Sequence, residues 1–150
     1  MKQISIIIPC FNEEENLKHI FKKSENLFGK NNDIEVILVD NGSTDNTYEM
    51  LRDILNGQQH FIKVVRVKSN IGYGHGIMSG VNSASGEVIA WTHADLQTDP
   101  GDLLEGLKML REISNPEKAL RIYNIFCRIQ FFFTMIIELK LSFMDCRGNA

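Results

Sequence analysis

Short apolar runs alternate along this chain with stretches whose apolar positions recur every three or four residues, the signature of strands interleaved with helices. Ile4 to Ile8 reads as a first strand. Asn12 is placed to cap a helix, with Glu15 completing a capping-box-like arrangement, and Leu17, Ile20, Phe21, Ser24 and Leu27 follow at helical spacing. That helix stops near Gly29 and the Asn31-Asn32-Asp33 turn cluster, and Ile34 to Val39 forms strand two. Ser43 or Thr44 caps a second helix carrying Met50, Leu51, Ile54 and Leu55, before strand three at Ile62 to Val67. Asn70 to Gly76 leads into a third helix ending at Gly86. A fourth strand from Glu87 to Trp91 then breaks into polar residues, and Asp99 with Pro100 starts another helix through Leu110.

This β-α-β-α-β-α-β-α order predicts an α/β fold, a mainly parallel sheet with helices on both faces. Ligands in such sheets collect beyond the carboxyl ends of the strands. Two parts are expected, a core over 1–115 and a helical C-terminal appendage over 116–150 with no clear strand. Ile122 to Met144 is apolar but interrupted by Arg128, Gln130, Glu138 and Lys140, a poor bilayer span. An amphipathic helix that lies on a membrane or seeds a homodimer is the better reading.

With 43% hydrophobic residues and a net charge of −3, the chain has an ordinary globular composition and no overall basic field for nucleic acid. Cys10, Cys127 and Cys146 form no Cys-x-x-Cys pair, which argues against a disulfide framework or structural zinc and for a reducing compartment. The run before Pro9 is too short for a signal peptide, so a cytoplasmic location is expected.

Four loops then carry candidate chemistry. Pro9-Cys-Phe-Asn-Glu13 sets an aromatic ring and a carboxylate beside a helix N-terminus, where a nucleotide base could stack or the polar residues could simply cap the helix. Asp40 closes strand two beside the Asn41-Gly42 turn and can accept hydrogen bonds from a base or ribose, whereas Asp45 reads as a first-turn acid serving the helix. Gly72, Gly74 and Gly76 leave room near a helix start, but they follow the third strand and lack a third fingerprint glycine, so loop geometry explains them better than a dinucleotide site. His93-x-Asp95-x-Gln97 offers imidazole, carboxylate and amide oxygen at a strand tip, and Mg²⁺ or Mn²⁺ takes oxygen ligands completed by substrate phosphates.

Taken together, Pro9-Cys-Phe-Asn-Glu13, Val39-Asp-Asn-Gly-Ser-Thr-Asp-Asn-Thr47, Asn70-x-Gly72 and Ala94-Asp-Leu-Gln97 resemble family 2 glycosyltransferases with the GT-A fold, nearest the dolichyl-phosphate mannosyltransferase-like branch. The resemblance covers Ile4 to about Leu110. It implies nucleotide contacts from Pro9, Phe11, Glu13, Asp40, Asn70, Gly72 and His93, and a Mg²⁺ or Mn²⁺ ion at Asp95 and Gln97, with Asp95 the catalytic carboxylate. Phe11 replaces the family's usual tyrosine, Asn41 a common second aspartate, and His93 the first aspartate of the strand-tip motif. The implied activity is inverting transfer of a hexose from a nucleotide-diphosphate sugar to a polyprenyl phosphate, dolichyl or undecaprenyl, at a membrane face during glycan or cell-envelope synthesis. Arg121 and Arg128 are candidates for the acceptor phosphate, or else solvated surface charges. His93 and the abbreviated stretch after Gln97 keep two rivals open, a non-catalytic nucleotide-sugar-binding module and an incomplete glycosyltransferase fragment. An NAD-binding oxidoreductase is the third, resting on the glycines alone.

Overall fold

The computed structural model describes residues 3–57, 60–95 and 99–106 in full, and residues 135–138 as backbone. Its elements are β1 (Ile4–Cys10), α1 (Leu17–Phe28), β2 (Ile34–Asp40), α2 (Thr47–Asn56), β3 (Ile62–Arg66), α3 (Tyr73–Val81), β4 (Val88–Trp91) and β5 (Met135–Glu138). Further helical turns run over 102–106. The strands form one sheet in the order β3-β2-β1-β4-β5. β1 lies parallel to both β2 and β4, and β2 parallel to β3.

Every residue of β1 and β2 is buried, because strands at the middle of a parallel sheet are covered on both faces and so read as unbroken apolar runs. Alternate side chains serve the two faces. Ile4, Ile6 and Ile8 pack with Val36 and Leu38 against Leu17, Ile20 and Phe28 of α1, Leu51 of α2, and Leu103. Ile7, Ile37, Val39 and Ile89 face the other way, toward Val81 of α3. Helix α3 reaches that face through a glycine: a Cβ on Gly80 would lie 2.5 Å from Cγ2 of Ile7. Any larger residue there would push the helix off the sheet.

The expected parallel sheet with helices on both faces is what forms, and the first four strands fall where the apolar runs put them. The helix starts differ. Asn12 does not cap α1; it adopts a left-handed φ of 56°, and the helix begins at Leu17 after Asn16, which makes no side-chain cap. Ser43 and Thr44 likewise do not cap α2, which starts after Asn46. The reading of 116–150 as helical without a strand is also corrected at 135–138, where β5 pairs antiparallel with β4. A short apolar run fits either element, and the free edge of β4 decides it. Asp99 does start the last helical turns, its Oδ1 accepting the Gly101 amide at 2.8 Å. Among the described residues no helix is long and apolar enough to cross a membrane.

Candidate active site

Parallel pairing brings four strand tips to one edge of the sheet. The ladder runs on past their ends: the Asn41 amide donates to the Cys10 carbonyl at 2.8 Å, Val67 to Asp40 at 2.8 Å, and Thr92 to Ile7 at 3.1 Å. The loops after β1, β2, β3 and β4, which hold Phe11 and Glu13, Asp40, Asn70 and Gly72, and His93 and Asp95, therefore share that carboxyl edge. Strand order reverses between β1 and β4, the point where such sheets leave a crevice for ligands.

The first two loops are zipped together by polar groups about thirty residues apart in sequence. The Asn12 amide donates to Ser43 Oγ at 3.1 Å, and the Glu13 amide to Thr47 Oγ1 at 2.8 Å. Asn12 Oδ1 in return accepts the Thr44 amide at 2.9 Å. Asp45 is structural, as its position suggested: it accepts the amides of Thr47 at 2.9 Å and Glu14 at 3.3 Å. Burial works to raise its pKa, but those hydrogen bonds outweigh it and hold the carboxyl below its usual range. Glu13 accepts from Asn16 Nδ2 at 2.7 Å, which fixes its side chain at the start of α1. Phe11 stays 44% exposed at the mouth of the loop, open to a stacking partner.

Asp40 is fully buried at the tip of β2. Its Oδ1 accepts the Ser43 amide at 2.9 Å. Its Oδ2 faces the Arg66 guanidinium at 3.5 Å, a charge contact without hydrogen-bond geometry, and is a buried oxygen with no hydrogen-bond partner. Arg66 itself is held flat over the Tyr48 ring, 3.6 Å from its centroid, a cation-π contact that fixes where its charge sits. Sequence reading passed over both Arg66 and Tyr48, since an exposed basic residue on an edge strand carries no signal of its own.

Asn41 is also buried, and its side-chain Nδ2 donates to the Gly72 carbonyl at 3.2 Å. An aspartate there would face that carbonyl with a second acceptor, so the amide is the side chain this geometry requires. The same contact joins the β2 tip to the β3–α3 loop. Gly42, at φ 76°, passes so close to that loop that a Cβ would meet the Asn70 amide nitrogen at 2.4 Å. Asn70 Oδ1 accepts the Gly72 amide at 2.9 Å and shapes the turn into α3. Gly74 and Gly76 lie inside α3, and Gly76 abuts the Asn41 side chain. Close packing, not a pyrophosphate cradle, accounts for it.

At the β4 tip His93 stacks on Tyr73, the first residue of α3, with ring centroids 5.0 Å apart and planes 6° from parallel. Tyr73 Oη and His93 Nε2 are 3.3 Å apart and share a hydrogen bond. Burial, followed by the nearby negative charge of Asp95, pushes the Tyr73 phenol up to about 12, so it is protonated at neutral pH. Asp95 is exposed just beyond. Tyr73 was not among the residues singled out from sequence, because only the fold sets it against residue 93. Gln97, Arg121 and Arg128 lie outside the described residues.

No group of three or more His, Cys, Asp and Glu side chains among the described residues could cage a metal. The edge fits a different kind of site. Mg²⁺ and Mn²⁺ sites commonly use one or two carboxylates with the phosphates of a substrate, and an exposed carboxylate at a strand tip suits that arrangement. Cys10 beneath the edge is free and buried, its thiol pushed up mainly by burial and further by Glu13 and Asp40, so it is an inert part of the core.

Known proteins are similar to this chain in sequence and in fold. The chain is 32% identical over 104 residues to an undecaprenyl-phosphate 4-deoxy-4-formamido-L-arabinose transferase of Proteus mirabilis, and 36% identical over 104 residues to that of Yersinia enterocolitica. Each match covers 69% of this chain and 32% of the relative, so the chain spans about a third of their length. The fold is similar to that of the mannosyltransferase PcManGT of Pyrobaculum calidifontis, solved with GDP-Man and Mn²⁺, with a TM-score of 0.65 at 23% identity over 76% of this chain and 33% of that one. TarS of S. aureus, solved with UDP-GlcNAc, gives 0.62 at 22% identity over 73% of this chain and 31% of that one. The model of the glycosyl transferase family 2 matches residues 5–137, and the chain belongs to that family.

Proposed function

We propose that this chain binds a nucleotide-diphosphate sugar at the carboxyl edge of its sheet and takes part in inverting transfer of the sugar to a polyprenyl phosphate. The observation that carries the reading is the buried Asp40 Oδ2, which lacks a hydrogen-bond donor at the tip of β2. A buried acceptor left unmade costs roughly 1–3 kcal/mol, and a base N–H or ribose hydroxyl would relieve it. Phe11, exposed beside it, offers the ring face on which a base stacks, and the loops of Glu13, Asn70 and Gly72 share the same edge, with Pro9 buried in β1 beneath it.

Asp95, with Gln97, would hold Mg²⁺ or Mn²⁺, which when bound neutralises charge on the departing diphosphate. Arg66 keeps a positive charge beside Asp40, and the Asn41–Gly72 contact ties the β3–α3 loop to the β2 tip. A phosphate acceptor is already anionic, so the transfer asks no general base of the chain. The relatives named for undecaprenyl phosphate support that acceptor class, and they are named for an arabinose derivative, so the proposal covers nucleotide-diphosphate sugars rather than hexoses alone. Arg121 and Arg128 remain candidates for the acceptor phosphate. We place the chain at the cytoplasmic membrane face, with peripheral contact or a homodimer as the means of reaching the lipid.

Membership of this family sets aside the NAD-dependent alternative. The rival that draws on His93 is a donor-binding module without turnover. Incubation with labelled UDP- and GDP-sugars, polyprenyl phosphate and Mn²⁺ separates the two. Glycolipid formation that disappears in Asp95→Ala supports transfer, whereas metal-dependent donor binding with no glycolipid identifies a binding module.

A further inference from the structure

We propose that Tyr73 is a positioning residue acting through His93, clamping the loop that carries Asp95 to the first turn of α3 and so presetting the metal-and-diphosphate end of the site. The inference rests on the reading of Asp95 given above and goes beyond it, to what holds that carboxylate in place. Two contacts of different kinds join the same pair of side chains: a stack at 5.0 Å with planes 6° apart, and a 3.3 Å hydrogen bond between Tyr73 Oη and His93 Nε2. A stack alone leaves a ring free to slide, and a hydrogen bond alone leaves it free to turn. Both together fix the imidazole.

The anchor is itself fixed. Tyr73 follows Gly72, whose φ of 126° sets the turn and whose carbonyl is held by the buried Asn41 amide. Gly76, one turn on, packs against the same Asn41 side chain. A line of contacts therefore runs from the β2 tip through Asn41, Gly72 and Tyr73 to His93 on the β4 tip, two residues before Asp95. Tyr73 is 42% exposed, so the pair adds little to the core. Its effect falls on the loop, where the exposed Asp95 carboxylate must be ordered to hold an ion, and ordering it in advance removes that cost from binding. An imidazole at 93 supplies the ring face that a carboxylate could not.

The test is Mn²⁺ binding, read by electron paramagnetic resonance in the presence of UDP or GDP, together with the proton shift of the His93 imidazole. In the wild-type chain the His93 ring proton is displaced upfield by the Tyr73 ring. Tyr73→Ala loses that displacement and weakens Mn²⁺ binding about tenfold, with the unfolding midpoint little changed. Tyr73→Phe keeps the stack, keeps the displacement and loses about threefold at most. Wild-type Mn²⁺ affinity in Tyr73→Ala, or weakened binding with the His93 shift unmoved, overturns the positioning role while leaving the site reading intact. Asp95→Ala is the control on that reading: if it binds Mn²⁺ as well as the wild type, the metal assignment fails and the positioning role fails with it.

Discussion

Strand β2 carries a buried carboxylate at each end, and the two are treated in opposite ways. Glu35, 2% exposed near the start of the strand, is surrounded by donors: Ser5 Oγ at 2.6 Å, the Ser85 amide at 2.6 Å, Ser85 Oγ at 2.8 Å and Lys63 Nζ at 2.7 Å. Asp40, at the other end, has one donor on Oδ1 and none on Oδ2. Glu35 ties β1, β2, β3 and the turn before β4 into one unit. Asp40 is held in place but left unfinished. A buried carboxylate with donors on both oxygens belongs to the fold, and one with an oxygen to spare belongs to a ligand.

Removing Glu35 should therefore show the largest effect on stability. Glu35→Ala takes the acceptor from the Ser5 hydroxyl and the Ser85 amide and the carboxylate from Lys63, a loss of about 3 kcal/mol in urea unfolding. Nucleotide affinity under folding conditions should be unchanged. A variant that unfolds like the wild type would show that the network is ornamental and would dissolve the contrast.

Asp40→Asn should do the reverse. Its shape is kept and Ser43 retains an acceptor, so stability stays within about 1 kcal/mol, while UDP or GDP affinity measured by calorimetry falls about tenfold. Loss of stability without loss of binding would make Asp40 a second Glu35.

Acid should test the Glu35 end of the strand. Burial works to raise the Glu35 pKa, but the bonds from Lys63, Ser5 and Ser85 outweigh it and bring it from 4.5 down to about 2. A carboxyl depressed in the folded state contributes stability that is complete above its unfolded value and is lost as pH falls through the folded one. Stability should decline between about pH 4.5 and pH 2. Asp45 and Asp99, also lowered, add a decline of the same sign, and Glu35→Gln should flatten the slope by Glu35's share. An unaltered slope in that variant would contradict the assignment.

The smallest expected change sharpens the ligand side. Phe11→Tyr adds a hydroxyl to a side chain already 44% exposed, so stability should stay within about 0.5 kcal/mol. Donor affinity should rise a few-fold if the loop faces the nucleotide, and isothermal titration reads the difference.

The same contrast marks what could be seen in the sequence. Apolar runs placed β1 to β4, because burial on both faces writes itself into consecutive residues. The tips of those strands could be read too, since Asp40 and Asp95 stand where apolar residues give way. Capping failed: Asn12 and Ser43 spend their side chains across a gap of some thirty residues, and capping rules look only four residues ahead. Glu35 carries no signal of its own, since its donors come from three distant segments. Arg66, Tyr48 and Tyr73 were invisible for the same reason, each defined by a partner that only the fold supplies. β5 was hidden by an apolar run that suits a helix as well as an edge strand.

The central claim is that the carboxyl edge of the sheet, with Asp40 at its heart, receives a sugar nucleotide. A crystal structure of the chain with UDP or GDP and Mn²⁺ tests it most directly. The account predicts a base or ribose donor within hydrogen-bond distance of Asp40 Oδ2, the ring of Phe11 against the base, and the diphosphate near Asp95. A nucleotide seated elsewhere, with Asp40 Oδ2 still lacking a donor, would contradict it.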